Sequence, residues 1–274
     1  MSEVARTALG LLVLVLVASV VPLVDGVRQA RAVVWATGRG AVQLLTVGLV
    51  LGAVFRAPVA VLPVLAVMAV AASATVTPRL AELPALGWWR RPAAAAVAVS
   101  SGATVTGTVV FASGALPFGI RNLVALGGIT VGGAMTASTL AGRRFLAELR
   151  SRHAEVEGKL ALGATMRQAT ADLVAVAVGE ALVPALDQTR TTGLVTLPGA
   201  FVGALFGGAS PLAAARFQLV VLVGLLAAES VAAVVLLRLL AAVPFLPMSA
   251  ATAESQQGPG TRWIGRQAPR RRLR

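Results

Sequence analysis

Seven apolar windows separated by polar segments constrain the fold of this 274-residue chain more than any other feature. A helix needs about 20 apolar residues to cross the hydrocarbon core of a bilayer. The windows occupy residues 8–24, 41–55, 57–76, 93–116, 123–141, 193–208 and 213–243. An eighth segment, 173–186, is also apolar, but Glu180 interrupts it, and Asp172 and Asp187 flank it. The pattern predicts an all-α integral membrane protein.

Composition excludes a water-soluble globule. Hydrophobic residues make up 57% of the chain and charged residues only 13%, whereas a soluble domain carries about a quarter charged residues. The first window follows Arg6 and could be a signal peptide. The further windows, and the lack of a small-residue cleavage pattern after Ala18, favour a retained helix.

Arginine and lysine are concentrated on alternate sides of the first five windows. The basic residues fall between windows one and two, between three and four, after window five, and in the tail: Arg28, Arg31, Arg39, Arg79, Arg90, Arg91, Arg143, Arg144, Arg150, Arg152, Lys159, Arg167, Arg262, Arg266, Arg270, Arg271, Arg272 and Arg274. Positive loops lie inside. We therefore predict a plasma (inner) membrane protein with its amino terminus outside and its carboxyl terminus in the cytoplasm.

This orientation requires an even number of crossings after window five. Carboxylates are costly inside a bilayer, so we expect segment 173–186 to lie at the interface or to be buried against other helices. The prediction is seven transmembrane helices, with six or eight as alternatives. We expect residues 1–246 to form the permease domain and residues 247–274 to be a disordered, Arg-rich cytoplasmic tail.

The tail has two readings, a nucleic-acid patch or a segment that touches anionic lipid headgroups. It lacks the interleaved aromatic residues of a nucleic-acid platform, so membrane lipid is the expected partner and nucleic acid is not. The chain has no cysteine, its single histidine is His153 in a charged stretch, and no phosphate-binding GxxxxGK[ST] motif occurs. This chain is therefore expected to bind no cofactor and to hydrolyse no nucleotide, so ATP would be bound by a separate subunit.

A charged stretch at about 150–170, interrupted by Gly158 and Gly163, lies between membrane segments. Helical spacing predicts that Leu160, Gly163 and Arg167 share one side, and Thr165 is suited to cap a second turn, Met166–Ala169. A short polar helix with an apolar stripe suits docking to a soluble partner; a plain solvated helix is the alternative. The expected coupling residues are Glu157, Lys159, Leu160, Gly163, Arg167 and Gln168.

Longer motifs carry a family resemblance. Glu157, three apolar residues and Gly163 weakly resemble the EAA loop of ABC-transporter permeases. The sequences KLALGATMRQA (159–169), VPALDQTRTTGLVTLPGAFVGALFGGASPLAAARFQ (183–218) and GRGAVQLL (38–45) closely resemble the FetB-type ABC permeases, with Phe217 in place of the usual Tyr. This family comprises bacterial iron exporters and plant aluminium-tolerance membrane subunits.

The resemblance implies a seven-helix permease that exports iron or another metal and is powered by a separate ATPase. Because one chain has one coupling helix and such transporters need two, a homodimer with two ATPase chains is expected. Two alternatives stay open. One is a secondary transporter that uses Glu229 and Asp187 as proton carriers. The other is a non-transporting scaffold or membrane sensor.

The pathway is expected near a Leu-Pro-Gly sequence. Pro198 removes a backbone donor, so a helix should break or kink there. Gly199 and Gly203, with Gly207, lie on one face and would allow tight helix crossing. The expected pathway or hinge residues are Asp187, Arg190, Pro198, Gly199, Gly203, Gln43, Gln218 and Glu229. No metal site is assigned; the oxygen or thioether candidates are Asp187, Glu229, Glu180, Gln43, Met135 and carbonyls around Pro198.

Overall fold

The computed structural model describes residues 2–24, 26–80 and 87–242; the tail predicted for 247–274 lies outside these residues. All regular elements in the described part are helices, which confirms the all-α prediction. Contacts divide the chain into two compact units, Met1–Val61 and Leu62–Arg274.

The first unit is a pair of contacting helices, α1 (Glu3–Val24) and α2 (Ala30–Val54), followed by a 3₁₀ turn, Pro58–Ala60. Helix α2 begins well before the predicted window 41–55. Arg31 and Arg39, which we expected in a loop, therefore lie on this helix and are exposed. The predicted window therefore began too late; Arg31 lies in the first turn of the helix, where a long arginine side chain can reach the polar headgroups.

The second unit holds the remaining helices. They are α3 (Val61–Val76, continued by a 3₁₀ turn at Thr77–Leu80), α4 (Arg90–Ala112), α5 (Ile120–Ser151), α6 (His153–Ala161), α7 (Met166–Ala169), α8 (Ala171–Thr191), α9 (Gly199–Phe206) and α10 (Pro211–Leu240). Helix α10 contacts α4, α5, α8 and α9, and α5 also contacts α4 and α8. The core therefore forms around α5 and α10.

Glycines permit the close crossings in this core. A Cβ atom at Gly102 of α4 would lie 2.4 Å from the carbonyl oxygen of Ala228 on α10. On α5, Gly133 meets only the side chains of Leu225 and Glu229, and Gly142 lies beside the side chains of Leu80 and Leu236. Because real Cβ atoms do not approach a backbone oxygen so closely, the α4–α10 crossing requires glycine at position 102.

The contacts also fix the direction of the helices. Gly133 of α5 faces Leu225 and Glu229, and Gly142 faces Leu236, so α5 and α10 run parallel. The chain must therefore return to the opposite end of the unit between the end of α5 and the start of α10. The end at which α5 and α10 finish carries more arginine than the other end, where Arg121 lies in the first turn of α5 and Arg216 near the start of α10. The residues of this basic end are Arg79, Arg90, Arg91, Arg143, Arg144 and Arg238.

In the part of the chain that the structure describes, six helical segments are long and apolar enough to cross a membrane, namely Ala5–Val24, Ala30–Gly52, Pro58–Leu80, Arg90–Ala112, Ile120–Ser151 and Pro211–Leu240. The chain is therefore a multi-pass membrane protein. The prediction that 193–208 forms a full span is wrong, because its helix has only 8 residues, which rise about 12 Å. Pro198 and the left-handed backbone of Gly193 (φ 90°) prevent a longer helix.

Helix α8 covers part of the distance that the predicted span 193–208 was expected to cross. Segment 173–186, expected at the interface or buried against other helices, lies within this 21-residue helix and packs on α5 and α10. Its carboxylate is tolerated because Glu180 Oε2 lies 2.8 Å from Arg144 Nε at the basic end. Thr192 is 12 residues beyond Glu180, a rise of about 18 Å. The return to the opposite end is thus made by α8 and residues 192–209 together, a broken crossing.

Gly102→Ala should destabilise the fold, because the added methyl group meets the backbone of α10. Overpacking of this kind costs about 1–3 kcal/mol. Gly107→Ala on the same helix is the matched control, because a Cβ there meets nothing within 4 Å. The thermal midpoint of the purified protein in detergent should fall for Gly102→Ala and stay level or rise for Gly107→Ala; equal midpoints would contradict the tight crossing.

Candidate coupling elbow and helix-break cavity

The chain reverses between α5 and α8 through a segment that we call the elbow, residues 152–172. Helix α6 ends at Ala161, and Gly163, just beyond its C-cap Leu162, has a left-handed φ of 91°. The Gly163 amide donates to the carbonyl of Leu160, and the Ala164 amide donates to that of Lys159. This is a Schellman motif, the common glycine ending of a helix.

The second helix of the elbow begins with a capping box. The Gln168 amide donates to Thr165 Oγ1, and the Thr165 amide donates to Gln168 Oε1 at 2.8 Å. The predicted cap at Thr165 and the turn Met166–Ala169 are thus confirmed. The expectation that Leu160, Gly163 and Arg167 lie along one helix is wrong, because Gly163 separates two short helices.

Four charged side chains tie the elbow to the start of α8. Arg152 binds both Glu155, at 2.6 Å, and Asp172. Lys159 lies 2.8 Å from Glu155 and 3.3 Å from Asp172. Because Asp172 belongs to the first turn of α8, the cluster joins α6 to α8 across the turn and holds the elbow in one orientation.

The exposed surface of the elbow differs from the predicted one. Leu162 is 91% exposed at its tip, whereas Leu160 is half-buried and packs against the core. Arg167, Gln168 and Glu157 are also exposed. The elbow therefore presents Leu162, rather than Leu160, as its apolar contact for a partner. The sequence signal for this was the Schellman ending at Gly163, which turns the preceding residue outward.

Gly163→Ala should loosen the elbow, because a left-handed backbone costs an L-residue about 1–2 kcal/mol. Gly158→Ala is the matched control: both positions have nothing within 4 Å of an added Cβ, but only Gly163 has a positive φ. Amide hydrogen exchange across 153–169 should accelerate in Gly163→Ala and be unchanged or slower in Gly158→Ala. Acceleration in both variants, or in neither, would contradict the assigned strain.

Glu155 should titrate far below an ordinary carboxylate. Its hydrogen bond from Arg152, followed by that from Lys159, lowers its pKa from 4.5 to about 2. Because the folded pKa is depressed, its contribution to stability is complete above about pH 4.5 and is lost as the pH falls towards 2. The carboxyl ¹³C resonance of Glu155, assigned by its absence in Glu155→Gln, should have a midpoint near 2, and Arg152→Gln should raise it. A midpoint near 4.5 in the native protein would refute the cluster.

The helix break itself lies between α8 and α9. The Thr192 amide donates to the carbonyl of Gln188, the Val195 amide to that of Thr191, and the Gly193 amide to that of Thr196. Helix α9 begins directly after Pro198, which confirms the predicted break. These local hydrogen bonds satisfy part of a backbone that no longer follows a helix.

Charged and small residues flank the break. Asp187 and Arg190 form the predicted ion pair, with Oδ1 and Nη1 3.6 Å apart, and both are mostly exposed. Gly199 and Gly203 have nothing within 4 Å of an added Cβ. Among the described residues they therefore form no tight helix crossing.

A cavity of about 370 Å³ adjoins the break on the side of α10. Its walls include Thr189, Thr192, Gly193, Pro198, Phe201 and Gln218. Gln218 is only 5% exposed, and its Oε1 has no hydrogen-bond partner in the described part of the chain. The sequence reasoning singled out Pro198 and Gln218 but missed Thr189 and Thr192, whose signal was a run of threonines beside Gly193.

Two other predicted pathway residues are not among the residues that line this cavity. Glu229 is buried in α10 opposite Gly133, and Gln43 is exposed on α2 in the first unit. Residues 2–24, 26–80 and 87–242 contain no group of three or more His, Cys, Asp or Glu that could hold a metal ion. The candidate ligands Asp187, Glu180 and Glu229 are thus not assembled into one site.

Comparison with known proteins places the chain among membrane proteins. It is 36% identical to the UPF0014 membrane protein STAR2 of Oryza sativa subsp. japonica over 73% of this chain and 69% of the relative. It is 30% identical to the "Probable iron export permease protein FetB" of Escherichia coli over 82% and 85%. It is 31% identical to the "Protein ALUMINUM SENSITIVE 3" of Arabidopsis thaliana over 81% of each chain.

No solved structure shows significant similarity to the chain. The profile of the uncharacterised protein family UPF0014 matches residues 6–245. With this match and the relatives above, the chain belongs to the UPF0014 family.

Proposed function

We propose that this chain is the membrane subunit of an ABC exporter and that its elbow docks on a separate ATPase. The observation that carries the proposal is the elbow, a rigid structure with an almost fully exposed leucine at the basic end of the membrane unit. The printed name of the Escherichia coli relative, a probable iron export permease, supports export. The chain itself has no phosphate-binding loop, so ATP binding is assigned to the partner.

The orientation follows from charge. The basic end carries arginines from the turn after α3 and from α4, α5 and α10, and positive segments remain in the cytoplasm. Arg121 and Arg144 lie 23 residues apart on α5, a rise of about 35 Å that matches a hydrocarbon core of roughly 30 Å. This supports a cytoplasmic elbow in the inner (plasma) membrane, with the amino terminus outside.

The proposed cargo is iron or another metal ion. Its basis is the names of two relatives, the iron export permease and the protein ALUMINUM SENSITIVE 3. A carboxylate or histidine cluster would hold a metal ion tightly. An exporter needs only brief contact with its cargo, so weakly binding neutral oxygen atoms along the path are compatible with this role.

A second copy of the chain is the proposed neighbour of the helix break. Leu194 is 94% exposed and Val195 76% exposed, on a backbone that is not helical. Irregular backbone cannot face lipid within the hydrocarbon core, because its polar groups would be unsatisfied. Covering by a second copy solves this problem, uses the open faces of Gly199 and Gly203, and supplies the second elbow that an ABC transporter needs.

A secondary transporter is the second candidate, and Glu229 favours it. A buried carboxylate inside a membrane helix is a functional-site candidate in its own right, and no ion pair reaches Glu229 among the described residues. Proton-coupled transport would proceed without ATP, whereas the ABC exporter requires it. Transport by reconstituted protein with and without ATP and its ATPase separates the two.

Leu162→Asp should abolish ATPase binding while leaving the fold intact, because it places a charge at the centre of an apolar contact. Loss of a hot-spot residue costs roughly 2 kcal/mol or more, or about a thirty-fold weaker affinity. The measurement is co-purification with a candidate ATPase subunit expressed together with this chain, followed by a binding titration. Leu212→Asp is the control, because Leu212 is also exposed but lies at the opposite end of the unit, at the start of α10.

Equal ATPase binding by Leu162→Asp and the native chain would remove the elbow as the docking site. Failure of the native chain to bind any ATPase, with transport persisting without ATP, would overturn the ABC assignment and favour the secondary transporter.

A further inference from the structure

The cations at the basic end of the second unit differ in whether a carboxylate pairs with them. Beside α8, Arg144 lies 2.8 Å from both Glu148 and Glu180. In the elbow, Arg152 and Lys159 each pair with two carboxylates. These three cations are therefore balanced by acids of the same chain.

Arg79, Arg143 and Arg238 are not balanced in this way. Each is exposed, and in the described part of the chain no carboxylate forms a salt bridge with any of them. Because a guanidinium remains protonated at every physiological pH, these three arginines carry a permanent positive charge. Only an anion from outside the described residues can neutralise it.

The packing of three elements brings these arginines to one place. A Cβ atom on Gly142 of α5 would lie 3.1 Å from the side chain of Leu80, in the turn after α3, and 3.7 Å from that of Leu236 on α10. Each of the three arginines is only one or two residues from this contact along the chain. We call this exposed group the arginine patch; its members are Arg79, Arg143 and Arg238.

The start of α4 indicates the depth of the patch in the membrane. Helix α4 begins at Arg90 and contacts the turn that carries Arg79. Its 23 residues rise about 35 Å, slightly more than a hydrocarbon core of about 30 Å. Trp88 and Trp89 just before it are 84% and 56% exposed, as is typical of indole rings at the headgroup level, and the Arg90 guanidinium lies 5.2 Å from the centre of the Trp89 ring. The arginine patch is therefore at the level of the lipid phosphates.

We propose that the arginine patch binds the headgroup phosphate of an anionic phospholipid. A guanidinium presents its N–H groups as a planar fork that matches two phosphate oxygens, and a lipid of net negative charge supplies the anion that the patch lacks. A soluble protein would meet the elbow first, because α5 continues from Arg143 to Ser151, eight residues or about 12 Å, before the elbow begins. The lipid site needs neither an ATPase nor transport, so it goes beyond the proposed function.

Quenching of tryptophan fluorescence by brominated lipid tests the patch directly. The chain has four tryptophans, so Trp35→Phe and Trp263→Phe together leave Trp88 and Trp89, beside the patch, as the only indoles. The full-length chain is reconstituted into phosphatidylcholine vesicles that contain either brominated phosphatidylglycerol or brominated phosphatidylcholine. The ratio of the two quenching curves gives the binding constant of the anionic lipid relative to the zwitterionic one, and changes in the depth of the indoles cancel in it.

The native patch should favour phosphatidylglycerol about five-fold or more, since one arginine near an anionic lipid surface contributes roughly 1 kcal/mol. Arg143→Gln should lower this preference about two- to five-fold, and Arg79→Gln should act in the same way. Arg216→Gln is the matched control, because Arg216 is also exposed but lies near the start of α10, at the opposite end. It should leave the preference unchanged.

Equal binding constants for the two lipids in the native chain, or an equal loss of preference in Arg143→Gln and Arg216→Gln, would overturn the proposal. Inorganic phosphate separates the lipid headgroup from a soluble anion. If it displaces brominated phosphatidylglycerol more strongly than sodium chloride of the same ionic strength, the patch is a site for free phosphate and the lipid assignment is wrong. Equal displacement by the two salts supports the lipid.

Discussion

The obligation to satisfy backbone hydrogen bonds away from water shapes this structure more than any other constraint. Long helices meet it internally, as α4, α5 and α10 do. Residues 192–198 do not form a helix, yet the Thr192 and Val195 amides donate to the carbonyls of Gln188 and Thr191 at the end of α8, and the Gly193 amide donates to that of Thr196. The remaining polar groups of the break must face protein or water. This requirement accounts for the cavity and the uncovered surface beside the break, because lipid tails offer no hydrogen-bond partner to the remaining polar groups.

Close packing around α10 gives the break a fixed support. In a membrane, helices associate through van der Waals contact between small residues, since lipid tails are as apolar as the side chains they would replace. Gly102 lets α4 approach the backbone of α10, and Gly224 of α10 faces Thr106 in the same crossing. Gln218 is on the same helix, two turns towards its start. The buried Gln218 side chain is thus on α10, which packs against α4, α5, α8 and α9, and it lies beside the break between α8 and α9.

The two candidate sites lie at opposite ends of α8. Asp172 in its first turn is held by Arg152 and Lys159 of the elbow, and Thr189 and Thr192 at its last turn line the cavity. Between them Ala177 and Ala181 are buried, with α8 packed on α5 and α10. A force applied to the elbow therefore reaches the break through a single helix. Pro184 lies within that helix and lacks an amide hydrogen, which makes a bend between the two sites less costly.

Sequence reasoning reached the features that depend on local chemistry and missed those that depend on neighbours. The apolar windows identified the membrane class, Thr165 and Gln168 identified a helix start, and Leu-Pro-Gly identified the break, because each follows from nearby residues. The window 193–208 was overcounted as a span because apolar content alone does not reveal that Gly193 adopts a positive φ. Segment 173–186 was left between the interface and burial against other helices, because the partner of Glu180 is Arg144, 36 positions earlier; the structure packs it on α5 and α10. The role of Gln218 was equally hidden, since its importance comes from having no partner, and only the packed structure shows which buried groups lack one.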